Sequence, residues 1–454
     1  MATLVLAGCG DDKLSGNGGS TTTDTGSTTS SSTGGTTGSG GATGSGGMTT
    51  SGGTGGTTAS GGTAGSGGMT GSGGMTGSGG MAGSGGMAGS GGAGGMTGTG
   101  GSGGMTGSGG GAATGTLLTL SGGVPGSLGQ VASWTSAGGW AKSGINLQFK
   151  KAALAPIDGG AITVARRLGN NPPMGDDDLF SATWTPAGGF GAVSPMNKVA
   201  LDGPALAPHG VATLLSVLDA QNKHVYSQYE AGNFSPFSAV PAGQPGSQSF
   251  GPSGSTLAAF GIAGVYLAYA GADEHLYYLR KDGPGSQWTF ASQAPTAAVV
   301  NTLAPALAVD KDDDLRFFHV RKSDGRLCTI TLITPQNAWG PEEVVHMDAI
   351  TGQSPSAALL PGGDLLVAWH GFNNAGVYFS RLTAGVWSAP VTVEVAQMSA
   401  SAPVVVTGLG GADAEVLYTA DGKLRWARIT GTNVTFGPDP SVLNVTNVAA
   451  LVLP

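Results

Sequence analysis

The sequence predicts an all-β fold, a β-propeller of seven four-stranded blades over residues 116–454, and three observations predict it. First, a unit of strand, Gly-containing turn and closing aromatic recurs seven times, and its aromatics lie 44 to 54 residues apart. Second, six Ala-rich segments alternate with these units, and small side chains suit the crowded innermost strands of a propeller. Third, the C-terminal residues 447–454 repeat the pattern of the Ala-rich segment at 354–361. A repeat near 50 residues with several short strands per period is typical of propeller blades.

The strands of each blade can be followed along the repeat. The closing aromatics are Trp140, Phe190, Phe234, Trp288, Trp339, Trp387 and Phe436. The Ala-rich segments lie at 152–156, 204–208, 255–261, 304–310, 354–361 and 402–408. Each precedes an apolar strand without strict alternation, as at 365–369, which indicates that neighbouring blades cover both faces.

The two repeated elements differ by one in number, and this difference predicts how the ring closes. The first unit, at 131–140, has no Ala-rich segment before it, so the C-terminal strand is expected to join the first blade. Such closure removes the open sheet edges. Six or eight blades remain alternatives, because residues 116–130 and 244–254 fit no repeat.

Residues 10–115 predict a disordered, low-complexity linker. The chain has 454 residues and 87 Gly, and this segment is almost entirely Gly, Ser, Thr, Ala and Met. It lacks the apolar side chains that offset the entropy cost of ordering. Its methionines, such as Met69, Met75 and Met81, belong to a drifted hexamer rather than to a metal site. A Gly-rich coil of ~100 residues spans roughly 55 Å, enough to hold the predicted propeller, called the head below, clear of a lipid surface.

The first nine residues contain Leu6-Ala7-Gly8-Cys9, which resembles a bacterial lipobox. The resemblance implies a lipoprotein signal peptide over 1–9 and a diacylglycerol on Cys9. Only eight residues precede Cys9 and none is basic, so the signal would be truncated, and an apolar N-terminus with a stray Cys is the alternative. Together with the linker, this segment resembles myxobacterial surface lipoproteins. That resemblance implies a bacterial cell-envelope protein, on the outer membrane and either surface-exposed or periplasmic.

The overall composition limits the partners. The net charge is −8 and no basic stretch occurs, which argues against electrostatic binding of nucleic acid. No run of 18 apolar residues occurs, so membrane contact is expected through a lipid anchor only. The head is expected to be monomeric. The second cysteine, Cys328, is expected to be a small buried hydrophobe, with a reactive thiol as the alternative.

The segment Trp387-Ser388-Ala389-Pro390 after a blade turn resembles the sialidase-like superfamily with its Asp-box repeats. The nearest Asp box runs from Asp282 to Trp288 and has one residue too many, and the family's Phe-Arg-Ile-Pro motif is absent. No catalytic residue is therefore predicted. The favoured function is a non-catalytic binding module for glycans or surface polymers, with a protein ligand also open. A glycoside hydrolase or lyase of this architecture and a structural envelope protein are the alternatives.

Candidate ligand-binding residues are aromatics near predicted strand ends, where flat rings could stack on sugars. They are Trp134, Trp184, Tyr269, Trp369 and Trp426. Their placement resembles seven-bladed propeller lectins, whose sites lie between blades, and packing between blades is the alternative. No cofactor is predicted: an ordinary polar turn is the favoured interpretation of the aspartates between two strands, and calcium binding is the alternative for Asp310, Asp312 and Asp314. His319 and His370 lack metal-ligand spacing to another His or Cys.

Overall fold

A computed structural model describes residues 96–99, 102–105, 115–168, 177–241, 253–261, 263–297, 300–372, 376–395 and 401–454. Over residues 115–454 these form a β-propeller of seven blades, each an antiparallel sheet with four strand positions. The predicted fold class and blade number are therefore confirmed. The lipobox with Cys9 and the predicted linker lie outside the described residues, apart from the two short segments at 96–99 and 102–105.

The strands are numbered in chain order. A hairpin is formed by β1 (Met96–Thr99) and β2 (Ser102–Met105). Blade 1 contains β3 (Thr116–Gly123), β4 (Gln130–Thr135) and β5 (Gly139–Gly144). Blade 2 contains β6 (Phe149–Ile157), β7 (Gly160–Arg167), β8 (Asp178–Thr185), β9 (Gly189–Phe190) and β10 (Ser194–Val199). Blade 3 contains β11 (Ala205–His209), β12 (Ala212–Leu218), β13 (His224–Glu230), β14 (Asn233–Phe234) and β15 (Ser238–Ala239).

The remaining blades repeat this order. Blade 4 contains β16 (Thr256–Phe260), β17 (Gly264–Ala270), β18 (Leu276–Lys281) and β19 (Ser292–Gln293). Blade 5 contains β20 (Ala306–Val309), β21 (Leu315–Val320), β22 (Leu327–Ile333), a 3₁₀ helix (Thr334–Gln336), β23 (Ala338–Trp339) and β24 (Glu343–Val344). Blade 6 contains β25 (Ser356–Leu359), β26 (Leu365–His370), β27 (Val377–Thr383), β28 (Val386–Trp387) and β29 (Val391–Glu394). Blade 7 contains β30 (Val404–Val406), β31 (Ala414–Ala420), β32 (Lys423–Thr430) and β33 (Asn433–Phe436), and β34 (Val445–Leu453) returns to blade 1.

The innermost strands come from the Ala-rich segments and the C-terminal segment, as predicted. They are β6, β11, β16, β20, β25, β30 and β34, and each contacts the next around the ring. All four residues of β20 and of β25 are buried. Small side chains at these positions allow seven strands to converge on one axis.

The second strands are buried on both faces, because each lies between two blades. All seven residues of β12, β17 and β31 are buried, which explains their nearly continuous apolar sequence. Tight turns set the register of the next strand. Asp421 and Gly422 join β31 to β32 with φ angles of 51° and 69°, the Asp-Gly pattern of a type I′ hairpin.

The ring closes through β34, which pairs with β3 from Thr116 opposite Leu453 to Gly123 opposite Val445. The order within blade 1 is β34-β3-β4-β5, so the C-terminal strand is innermost. The predicted closure is therefore confirmed. Apolar clusters fill the spaces between blades, and one of them joins Leu120, Phe149 and Trp184 of blades 1 and 2. Within the described residues, no helix has the length and apolar character needed to cross a membrane.

Candidate functional site

The five aromatic residues predicted to line binding sites are all buried. Their exposed fractions are 8% for Trp134, 6% for Trp184, 0% for Tyr269, 1% for Trp369 and 2% for Trp426. Four of them lie near strand ends, as predicted, whereas Trp426 lies in the middle of β32, and the neighbouring blade covers all five. Their positions fit packing between blades, which the sequence left as the alternative, and ligand binding by these rings stays a prediction.

Two of these rings show why they are buried. Trp134 of blade 1 and Trp426 of blade 7 have ring centroids 5.3 Å apart. Trp140 meets Trp426 edge-on at 5.5 Å. The indole N–H groups of Trp140 and Trp426 both donate to the carbonyl oxygen of Pro438, at 2.9 and 2.8 Å. Buried Trp needs a partner for its N–H, so this cluster joins the last blade to the first.

The three aspartates of the calcium candidate lie in the turn between β20 and β21. The Asp310 carboxylate accepts the backbone N–H groups of Asp312 and Asp314, at 2.9 and 3.1 Å. The Asp314 carboxylate accepts the N–H of Thr334 at 3.0 Å. Burial raises the pKa of Asp310 despite these hydrogen bonds. These contacts are those of a polar turn, and calcium binding there stays a prediction.

Open pockets lie between adjacent blades, and the one between blades 2 and 3 has a volume of about 600 Å³. Side chains alternate along β8, so Ala182 and Trp184 pack toward blade 1 whereas Ser181 and Thr183 line the pocket facing blade 3. Blade 3 contributes an aromatic wall with one amide, formed by Tyr229, Asn233, Phe234 and Phe237.

The aromatic wall of this pocket is held by contacts within blade 3 and with blade 2. The rings of Tyr229 and Phe234 lie 5.0 Å apart and are tilted by 55°. The Lys198 ammonium lies 5.8 Å from the centroid of the Phe237 ring. Lys198 also forms an ion pair with Asp219 at 3.0 Å. Lys198 is not among the lining residues of the pocket, so its contact supports the Phe237 ring from outside the pocket.

Two further pockets occupy equivalent spaces between other blades. The pocket between blades 1 and 2 has about 940 Å³ and contains Phe180 and Phe190, with the Arg167 guanidinium 5.9 Å from the Phe180 ring. The pocket between blades 5 and 6 has about 170 Å³, and its lining includes Trp369 and the 64% exposed Phe372. Trp369 is thus the one predicted aromatic that borders any of these three pockets.

The chemistry of the three pockets suits neutral ligands that carry hydroxyl groups on an apolar frame. Aromatic side chains supply apolar surface, while Ser, Thr, Asn and backbone groups supply hydrogen-bond donors and acceptors. Among their described lining residues, Asp348 in the smallest pocket is the single carboxylate. No pair of carboxylates therefore faces a common space in these three pockets.

Comparisons with known proteins show the fold of the chain. No protein-family model matches it, and no curated protein matches its sequence. It is similar to the solved BP39L lectin from Burkholderia pseudomallei, with a TM-score of 0.57, 14% identity, and coverage of 73% of this chain and 96% of that one. It is less similar to AofleA from Arthrobotrys oligospora, with a TM-score of 0.41, 11% identity, and coverage of 63% and 88%. The NanB sialidase from Streptococcus pneumoniae gives a TM-score of 0.39, 11% identity, and coverage of 74% and 66%. The first similarity places the protein among the β-propellers, and the two looser ones add nothing to that assignment.

Proposed function

We propose that the propeller is a non-catalytic carbohydrate-binding module that binds glycans or other surface polymers in the pockets between its blades. The pocket between blades 2 and 3 is the observation on which the proposal rests, because aromatic rings there face hydroxyl and amide groups. Ring faces pack against the apolar C–H faces of sugars, and Ser, Thr and Asn side chains exchange hydrogen bonds with sugar hydroxyls. The similarly folded BP39L protein is itself a lectin, which agrees with this proposal.

The ring arrangement favours an extended ligand with repeating units. Pockets with aromatic linings occur between three different pairs of blades. Several weak sites that bind one polymer gain avidity, which can exceed the affinity of a single site by roughly 10²–10⁴. A surface polysaccharide is therefore a better ligand for this ring than a single free sugar.

Envelope anchoring belongs to the same proposal and is supported by the sequence around Cys9 and by the linker composition. A diacylglycerol on Cys9 would hold the protein at the bacterial outer membrane, and the linker would let the propeller reach a partner. Cys9→Ala, expressed with the native start codon, is expected to move the protein from the membrane fraction to the soluble fraction. Membrane association that is unchanged in this variant would contradict the anchor.

The main alternative is a glycoside hydrolase or lyase of the sialidase-like architecture. Hydrolysis of a glycoside generally uses two carboxyl groups placed roughly 5–10 Å apart on either side of the bond. Asp348 is the single carboxylate in the three described inter-blade pockets, which favours binding over hydrolysis. A structural envelope protein without a small ligand is the third possibility and would show neither binding nor turnover.

The test is a glycan array with the purified protein, followed by calorimetric titration of the best ligand and assays on chromogenic glycosides. Asn233→Ala and Phe237→Ala are each expected to weaken binding about tenfold, which corresponds to ~1.4 kcal/mol. Phe290→Ala is the matched control, because Phe290 is 72% exposed and lies outside the described pocket linings. Turnover that disappears when one carboxylate is changed would refute the non-catalytic proposal. Binding that is equally strong in all three variants would refute the pocket assignment.

A further inference from the structure

A buried cluster of His, Cys and Glu side chains, the residue types that bind metal ions, lies in blade 5 away from the three pockets described above. His319 on β21, Cys328 on β22 and Glu342 just before β24 present ligand atoms that all lie within 4.8 Å of one another. His319 is 3% exposed, Cys328 is 0% exposed, and the Glu342 side chain is 6% exposed. Across the described residues, no other group of three such side chains comes together in this way.

The strand register brings these residues together although they are distant in sequence. His319 and Cys328 are directly opposite each other in the antiparallel pair β21–β22, so their side chains lie on the same face. Cys328 also lies opposite Val344 on β24, which places Glu342 at the same end of the sheet. The His319 Nε2 and Glu342 Oε2 atoms are 3.7 Å apart. The N–H of Ala297 donates to Glu342 Oε2 at 2.6 Å and fixes the carboxylate.

Blade 5 differs from its neighbours at all three positions. The cross-strand pairs equivalent to His319 and Cys328 are stacked aromatics: Tyr269 with Tyr277 in blade 4, and Trp369 with Tyr378 in blade 6. The register of the outermost strands makes Ala291 and Pro390 the equivalents of Glu342. The side chains at these positions in the two neighbouring blades are not the usual ligands of zinc, whereas blade 5 has a nitrogen, a sulfur and an oxygen ligand there.

The cluster leaves a polar group unsatisfied in the absence of a further partner. Neither ring nitrogen of His319 has a hydrogen-bond partner, although the ring is almost completely buried. Such a group costs about 1–3 kcal/mol. The Cys328 thiol makes a weak contact with the carbonyl oxygen of Arg326, at 3.8 Å, and also lies beside the Glu342 carboxylate. Its burial also keeps substrates away, so a role as a nucleophile does not explain it.

We propose that His319, Cys328 and Glu342 bind a zinc ion. Zinc accepts imidazole nitrogen, thiolate sulfur and carboxylate oxygen at about 2.0–2.3 Å in tetrahedral geometry, which places neighbouring ligand atoms roughly 3.3–3.8 Å apart. The 3.7 Å separation of the His319 and Glu342 atoms fits this geometry, and the ligand atoms of the whole set lie within 4.8 Å, about 1 Å more than a tetrahedral zinc site needs. A water molecule would complete the four ligands. The Cys328 thiol would release its proton to solvent on binding, since thiolate is the ligand form.

The proposed ion would connect three parts of blade 5 and the segment that precedes it. His319 and Cys328 lie on the second and third strands, Glu342 precedes the outermost strand, and the carboxylate contacts Ala297 between blades 4 and 5. The nearby Arg321 cation is paired with Asp324, at 2.9 Å between Nε and Oδ1, which reduces its repulsion of a metal ion. The ion therefore acts as a structural clip on the outer part of the blade, and the inference is independent of carbohydrate binding.

The test uses the full chain in a Cys9→Ala background, so that Cys328 is the single thiol. After treatment with a chelator, zinc is added and its stoichiometry and the melting temperature are measured; cobalt(II) is added to a second sample as a spectroscopic probe. One zinc per chain, a higher melting temperature and a thiolate-to-cobalt charge-transfer band are expected. Cys328→Ser is expected to abolish that band, and His319→Gln to weaken zinc binding by at least tenfold.

His346→Gln is the matched control, because His346 lies in the same blade outside the cluster and contacts Asp348 instead. It is expected to bind zinc and cobalt as the parent chain does. Absence of stoichiometric zinc together with absence of the charge-transfer band in the parent chain would overturn the proposal. Zinc binding that survives both Cys328→Ser and His319→Gln would also overturn it. The cobalt(II) spectrum of the parent chain tests the thiolate ligand even if a variant fails to fold.

Discussion

Replacing Glu415 by Gln is predicted to stabilise the protein at and above neutral pH. Glu415 lies in β31 with 0% of its surface exposed, and neither of its carboxylate oxygens has a hydrogen-bond partner. The nearest cation, Arg428 Nε, is 3.7 Å away, which is close enough for attraction but too far for a hydrogen bond. Burial raises the pKa of Glu415 to about 8, although Arg428 opposes the shift. The side chain is therefore mainly protonated in the folded protein at pH 7 and ionised in the unfolded chain.

The size of the effect follows from proton linkage. The pKa rises from 4.5 in the unfolded chain to about 8 in the folded protein, so the folded state binds the proton more tightly. Stability is therefore lost as pH rises between these values, at about 1.4 kcal/mol per pH unit. The loss between pH 5 and pH 7 is roughly 2–3 kcal/mol. Gln cannot ionise, so the Glu415→Gln variant does not show this decrease in unfolding free energy between pH 5 and pH 7.

The assay is urea unfolding of the two proteins at pH 5, 6, 7 and 8, with the difference in unfolding free energy plotted against pH. Other groups titrate as well. Burial lowers the pKa of His224 to about 3, so His224 makes the unfolding free energy fall as pH decreases below 6.5, opposite to the effect of Glu415. Their contributions cancel in the difference between variant and wild type. Glu230→Gln, at an exposed position of β13, serves as the control. A difference between wild type and Glu415→Gln that is constant from pH 5 to pH 8 would refute the reasoning.

Three further changes test the fold. Deleting residues 445–454 removes the partner of β3, and we expect a lower melting temperature or oligomers in size-exclusion chromatography; a monomer with the wild-type melting temperature would contradict the closure. Asp202→Asn should lower the free energy of unfolding by about 2 kcal/mol at pH 7, because Asp202 pairs with Lys151 of blade 2 and accepts the N–H of Gly254, which precedes blade 4. Gly437→Ala should cost about 1–3 kcal/mol in the same assay, since its Cβ would overlap the buried Trp426 ring. Gly362→Ala, which meets no atom within 4 Å, is its control, and equal stabilities for both glycine variants would show that the Trp426 contact does not matter.

The architecture could be predicted because every blade has the same packing arrangement and therefore repeats the same sequence pattern. A strand covered on both faces needs a continuous apolar run, and the strand predicted at 365–369 is β26 with one further residue, His370. The segment 116–130 fitted no repeat, yet it contains β3. Its innermost partner is β34 at the other end of the chain, so no local turn marks the pairing. Sequence patterns reveal hairpins more readily than pairs that are distant in sequence.

The candidate site was less predictable, because the side chains that stay accessible to a ligand depend on which of them the neighbouring blade covers. The repeat alignment placed Trp369 near a strand end, and this position is observed, but only the packing of adjacent blades shows that the ring is 1% exposed. Phe237, which lines an open pocket, lies in a connection between short outer strands where no repeat identifies it. Likewise, His319 and Cys328 are nine residues apart and become neighbours only through the register of β21 and β22.

The closing strand also affects the order in which the protein can assemble during synthesis. The ribosome produces β3, β4 and β5 long before β34, although all four belong to one sheet. Until β34 emerges, the inner edge of β3 keeps unpaired N–H and C=O groups, which can pair with a second nascent chain. Blades 2 to 7 consist of consecutive strands and can form in turn, whereas blade 1 must wait. Bringing its two parts together across a loop of about 300 residues costs roughly 5 kcal/mol of chain entropy. Chaperone binding before closure is therefore expected to concentrate on β3 to β5, and exchange of β34 between two chains is the misassembly that we expect for this ring.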